Sequence, residues 1–77
     1  MNQTELFDTQ SIYQAAFCLC IGLKLDDIDR RNGSKVTFVF EGENASKKAL
    51  GFYNGVKVEA QEYSESMRSL KDMIFAR

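Results

Sequence analysis

The chain has 77 residues, of which 44% are hydrophobic and 27% are charged, and its formal net charge is −1. A chain of this length accommodates one hydrophobic core, and its composition is that of a globular domain, which excludes a disordered segment. The balanced charge argues against a strongly basic nucleic-acid-binding domain. We expect a single domain over residues 1–77, with an N-terminal arm at 1–7 and a core at about 8–75.

The sequence shows neither an export signal nor a membrane-spanning segment. Its first residues lack the positive charge and the long apolar run of a signal peptide. The most apolar stretch, Ile12 to Leu25, has about 14 residues, whereas a bilayer span needs about 20. Two cysteines without an export signal indicate reduced thiols. We therefore expect a cytoplasmic protein that does not bind membranes.

The first predicted helix begins near Ser11. Ser11 and Gln14 have the spacing of a capping box, in which each side chain binds a backbone amide near the other residue. Asp8 or Thr9 would cap the helix one turn earlier, and Gly22 suits its C-terminal end. Apolar residues at helical spacing predict that this is the central helix. They are Ile12, Ala16, Leu19 and Leu23.

A β-hairpin is predicted next. Its strands are Leu23–Arg30 and Val36–Phe40, joined at Asn32-Gly33, a pair that favours a tight turn with positive φ. Leu25 and Ile28 are three residues apart, so a bulge is needed to bring both to one face. On the second strand, every second residue is a large apolar residue, and we predict that these side chains face the core. They are Val36, Phe38 and Phe40.

The second half of the chain predicts two more helices. Asn44 is the candidate N-cap of a helix over Ala45–Tyr53, which Asn54-Gly55 ends, and the last helix covers Glu59–Phe75. A two-stranded hairpin needs another layer to be stable. The predicted fold is α+β: helix–β-hairpin–helix–helix, with a two-stranded antiparallel sheet packed on three helices.

Several short motifs resemble a family of small bacterial and phage proteins catalogued as a domain of unknown function. The resemblance covers about residues 6–75 and implies a compact helix–hairpin–helix–helix domain that occurs in bacteria or mobile elements. It implies no activity. The motifs are Ser-Ile-Tyr-Gln-Ala-Ala-Phe at 11–17, Ile-Gly-Leu-Lys at 21–24, Lys-Val-Thr-Phe-Val-Phe-Glu at 35–41, Phe-Tyr-Asn-Gly at 52–55 and Arg-Ser-Leu-Lys at 68–71.

The residues that could suggest metal binding or catalysis have simpler structural explanations. Cys18 and Cys20 are two apart on a helix, so they point away from each other, and the chain has no histidine to complete a zinc site. The acidic residues before Gly33 do not match a calcium loop, and Phe38 stands where its glutamate is needed. With no histidine as a base, we expect no enzyme, no catalytic residue, no metal, no cofactor and no small-molecule substrate.

Two functions are left by this reasoning. The first is a non-catalytic module that binds another protein or a second copy of the chain, for which an exposed Val39, Tyr53 or Phe75 would mark the interface. The alternative is nucleic-acid binding, with basic residues at the hairpin tip and early in the second helix. Acidic residues balance the hairpin's charge, so this alternative is second. The basic residues are Arg30, Arg31, Lys35, Lys47 and Lys48.

Overall fold

The computed structural model describes residues 4–32 and 35–75. Within these residues the strands and helices follow one another in the order β-α-β-β-α-α, with one 3₁₀ turn after the second helix. They are β1 (Thr4–Thr9), α1 (Ile12–Cys20), β2 (Lys24–Asn32), β3 (Lys35–Glu43), α2 (Ala45–Ala49), a 3₁₀ turn (Leu50–Phe52) and α3 (Ala60–Phe75). The class is α+β, as predicted.

The sheet has three strands in the order β1-β3-β2, and both neighbours pair antiparallel with β3. The prediction of a two-stranded sheet is therefore wrong. Residues 4–7, expected in a short N-terminal arm, belong to β1, where Phe7 pairs with Phe40. This segment forms a strand because it pairs with the edge of β3 that β2 does not occupy. Residues 1–3 of the expected arm lie outside the described residues.

The beginning of α1 is partly as predicted. The Ser11 hydroxyl accepts a hydrogen bond from the Gln14 amide at 3.2 Å, which confirms Ser11 as the N-cap. The second predicted bond of the capping box, from the Ser11 amide to the Gln14 side chain, is wrong. The Ser11 amide donates to Oγ1 of Thr9 instead (3.1 Å). Gly22 has φ +93° just after the helix, the left-handed backbone expected there.

The hairpin contains the predicted bulge. Leu25 pairs with Phe40 and Asp27 with Val39, so Asp26 is the extra residue, and Leu25 and Ile28 both pack against the core. Phe38 and Phe40 are fully buried on the same face. The predicted Asn32-Gly33 turn falls partly outside the described residues.

The helix after β3 is shorter than predicted, because α2 ends at Ala49 and a 3₁₀ turn follows. Asn44 precedes α2 but has a left-handed backbone (φ 56°), and its side chain makes no capping hydrogen bond. Glu5 of β1 supplies the cap instead, since its Oε1 accepts from the Ser46 amide at 2.9 Å.

The core lies between the sheet and the helices. Gln14 is its buried polar residue: Oε1 accepts from the Thr9 hydroxyl at 2.8 Å, and Nε2 donates to the Ala49 carbonyl at 3.2 Å. One side chain thereby links β1, α1 and α2. The fully buried apolar residues are Ala15, Ala16, Cys18, Phe38, Phe40, Ala45, Ala49 and Leu70.

Candidate functional site

An open apolar groove lies between the C-terminal half of α1 and the stretch from α2 to Val56. Its volume of about 620 Å³ falls within the range of about 300–1,000 Å³ that is usual for ligand-binding clefts. We call it the α2 groove. Its lining residues are Phe17, Ile21, Lys47, Lys48, Leu50, Gly51, Asn54 and Val56.

The floor of the α2 groove depends on the absence of a side chain at residue 51. A Cβ on Gly51 would lie 3.1 Å from Cγ2 of Val56 and 3.2 Å from the ring of Phe17. These distances are tighter than ordinary van der Waals contacts. Glycine therefore lets the loop approach α1 closely, and any other residue here would require Val56 or the Phe17 ring to shift.

Backbone hydrogen bonds hold the groove loop in place. The Leu50 carbonyl accepts from the amides of Tyr53 (3.0 Å) and Asn54 (3.2 Å), and the Gly51 carbonyl accepts from the Val56 amide (3.0 Å). The Phe52 ring meets Phe17 edge-on at a centroid distance of 5.9 Å. The hydrogen bonds thus fix the shape of the loop, and the ring contact joins the loop to α1.

Large apolar side chains remain exposed along this stretch. Leu50 is 55% exposed, Tyr53 68% and Val56 54%. Tyr53 was one of the predicted interface markers. Phe75, another marker, is also exposed but lies at the end of α3, while Val39 is half-buried. Exposed apolar residues grouped in one short segment are typical of an interaction surface.

The charged residues that line the α2 groove are both lysines, and the Glu5 carboxylate lies nearby at the start of α2. Residues 44–58 contain three lysines, Lys47, Lys48 and Lys57, and no acidic residue, so this segment carries +3. The rest of the chain must then carry −4 to give the total of −1. The two groove lysines are exposed and able to meet an acidic partner.

The structure divides the five predicted basic residues into two groups. Lys35 begins β3, whereas Lys47 and Lys48 lie in α2, which follows the other end of that strand. The nine residues of β3, at about 3.3 Å each, separate the two ends by about 26 Å. Lys47 and Lys48 therefore belong with the groove and not with the hairpin tip.

At the tip, the basic residues have different surroundings. Arg30 donates from Nη2 to the Met73 carbonyl at 2.7 Å, which places a positive charge at the C-terminal end of α3, where the helix dipole favours it. Lys35 is exposed. Arg31 lies in β2, and its side chain is outside the described part of the chain.

The comparisons with known proteins place the chain in a family. A family model described as Domain of unknown function (DUF5659) matches residues 4–76. The chain belongs to this family. The match includes the whole of β1, the strand expected to be an arm, and the whole α2 groove. No curated protein and no solved structure matches the chain.

The two thiols of this DUF5659 domain differ in their environments. Cys18 is fully buried, and burial raises the pKa of its thiol from 9.0 to about 11. Cys20 is half-buried, with Sγ 3.7 Å from Oγ of Ser66. No set of three or more potential metal ligands is grouped among the residues that the structure describes. No helix in the same residues is long and apolar enough to span a bilayer.

Sequence reasoning did not find the α2 groove. It placed Lys47 and Lys48 early in the second helix but counted them with the hairpin-tip residues as one nucleic-acid-binding set, and it named Tyr53 as an interface marker without locating a groove. A signal was present in the sequence, because residues 44–58 combine several apolar side chains with lysines and no acidic residue. What the sequence does not give is the distance between α2 and the tip, on which the grouping depends.

Proposed function

We propose that the domain is a non-catalytic protein-binding module and that the α2 groove is its binding site. The observation that carries this proposal is the combination of an apolar cleft with an exclusively basic rim. Leu50 and Val56 provide apolar contact area, and Lys47 and Lys48 provide the charge.

The proposed partner is chosen to match the chemistry of the groove. An occupant needs a bulky apolar side chain to fill the space between Ile21, Leu50 and Val56. It also needs an acidic side chain close by, because the rim carries two lysines and no carboxylate. We propose a segment of another protein with a leucine, isoleucine or phenylalanine next to aspartate or glutamate. Apolar anchors of this kind supply most of the affinity, and complementary charge orients them.

A selection from a displayed library of random dodecapeptides tests this proposal. We expect the enriched peptides to share an apolar residue beside an acidic one. For the tightest peptide, Leu50→Ser should weaken binding at least about tenfold, which corresponds to about 1.4 kcal/mol. Replacing both groove lysines by glutamine should weaken binding and reduce its dependence on salt.

Tyr13→Ser is the matched control, because Tyr13 is a large, similarly exposed side chain (62%) outside the groove lining. It should leave peptide binding unchanged. Circular dichroism of each variant verifies that the fold is retained. The proposal fails if no consensus emerges, if the consensus is basic, or if Leu50→Ser binds the peptide as tightly as the wild type.

Nucleic-acid binding through Arg30, Arg31, Lys35, Lys47 and Lys48 stays a prediction, as the second candidate. Exposed lysines at both ends of β3 support it. The acidic balance of the hairpin counts against it. Gel-mobility assays with DNA and RNA at low salt test it: salt-sensitive binding, weakened by neutralising the lysines, is expected if it holds. A cytoplasmic location and a bacterial or phage origin are also proposals, and they rest on sequence alone.

A further inference from the structure

The two edges of the sheet differ in how they are protected. The β2 edge has register shifts between Leu25 and Asp27 and between Asp29 and Asn32. It also carries a run of charged residues, from Asp26 to Arg31, interrupted only by Ile28. Bulges and charges of this kind discourage pairing with another strand. The β2 edge is therefore a poor template for association.

The β1 edge has no register shift and carries two charged residues, Glu5 and Asp8, fewer than the β2 edge. Its pairing with β3 runs without a shift from Thr4–Glu43 to Thr9–Phe38. The strand contains no proline and no lysine. In a regular antiparallel edge strand, every second residue directs its backbone amide and carbonyl outward. Four of the six side chains of β1 are exposed.

Side chains alternate along β1 between the two faces of the sheet. Phe7 packs against the core, so Leu6 and Asp8 point to the open face, and Leu6 is 62% exposed. A leucine in the middle of an exposed edge strand has no evident role within this fold. Its exposed side chain is available for contact with another chain.

We propose that β1 pairs antiparallel with β1 of a second copy of this chain, joining the two sheets into one. In a two-fold pairing of this kind, residues of the same face must lie opposite each other, so the pairing is centred on one residue. Centring on Glu5 would place two carboxylates opposite each other. Centring on Phe7 would place Leu6 opposite Asp8. Centring on Leu6 places the two exposed leucines side by side.

The Leu6 register is also compatible with the charges of β1. It sets Thr4 opposite Asp8 of the second copy and Glu5 opposite Phe7, so no acidic residue faces another directly. Apolar cross-strand pairs stabilise a sheet, whereas directly opposed like charges destabilise it. The strand is thus complementary to itself. One short strand pair buries little surface, so the dimer should be weak and dependent on concentration.

Sedimentation velocity over a range of concentrations tests this inference. The wild type should shift from monomer to dimer as its concentration rises. Leu6→Lys and Leu6→Glu should each stay monomeric, because each places like charges opposite each other. An equimolar mixture of these two variants should form a heterodimer, because lysine then faces glutamate.

Tyr13→Ser, at an equally exposed site outside the sheet, should dimerise like the wild type. Three results would overturn the inference: a wild type that stays monomeric at the highest concentration, a Leu6→Lys variant that dimerises normally, or a mixture that remains monomeric. The groove variant Leu50→Ser should dimerise normally, which keeps this test separate from that of the proposed function.

Discussion

Replacing Gln14 by alanine should destabilise the domain far more than any exposed glutamine would. Gln14 is 4% exposed and makes two hydrogen bonds, one with the Thr9 hydroxyl and one with the Ala49 carbonyl. These bonds join β1 and α2 to α1. Alanine removes both bonds.

The expected loss follows from the groups left behind. Ala49 is fully buried, so its carbonyl loses a partner where water has little access. An orphaned buried group costs about 1–3 kcal/mol, and the lost bond to Thr9 adds about 0.5–1.5 kcal/mol. We expect a total of about 1.5–4.5 kcal/mol. A domain of 77 residues has a free energy of unfolding of about 4–12 kcal/mol, so this is a large share.

Urea unfolding followed by circular dichroism measures this loss. Gln61→Ala is the matched control, because Gln61 is exposed on α3 and the chemical change is the same. It should alter the free energy of unfolding by no more than about 0.5 kcal/mol. If Gln14→Ala is no less stable than Gln61→Ala, the structural role assigned to Gln14 is wrong.

Three further outcomes are expected. Glu5→Ala removes the acceptor of the Ser46 amide and should cost about 0.5–2 kcal/mol in urea unfolding, whereas Glu65→Ala, exposed on α3, should cost little. Iodoacetamide should label Cys20 well before Cys18 in the folded protein, as read by peptide mass spectrometry; equal rates would contradict the buried position of Cys18. Because burial raises the pKa of Cys18 from 9.0 to about 11, the unfolded thiol ionises first. Below pH 9 the Cys18 thiol is neutral in both states, so its contribution to the free energy of unfolding is intact. As the pH rises from 9 towards 11, ionisation in the unfolded state lowers the free energy of unfolding by an amount on the order of 2 kcal/mol. Cys18→Ala should lack this part of the pH dependence, and an unchanged profile would refute the assignment.

Local patterns in the sequence predicted much of the fold. Ser11 and Gly22 mark the ends of α1 through short-range backbone chemistry, and the bulge in β2 follows from the spacing of Leu25 and Ile28. Each of these features depends on residues close together in the chain. The α3 helix was found for the same reason, because its apolar spacing continues over many turns.

The strand β1 was missed because its structure depends on distant residues. Leu6 and Phe7 are adjacent apolar residues, a pattern that favours neither alternation nor a helix. Phe7 becomes part of a strand only through its pairing with Phe40, far along the chain. Likewise, Glu5 was not recognised as the cap of α2, since an N-cap is usually sought just before its helix.

The α2 groove was missed for a related reason. The pattern of residues 44–58 shows lysines beside apolar side chains, but a helix of nine residues was expected where α2 has five and a 3₁₀ turn follows. That early end of α2 turns Leu50 and Val56 towards solvent and leaves Gly51 against Phe17. The groove is therefore a consequence of tertiary packing, which the local pattern does not specify.

The most direct test of the central claim is amide chemical-shift mapping of the tightest selected dodecapeptide on the isotope-labelled domain. If the α2 groove is the binding site, the largest shifts should occur at Ile21, Lys48, Leu50 and Val56, and they should disappear in Leu50→Ser. Shifts centred on the hairpin tip or on the open face of the sheet would contradict the account.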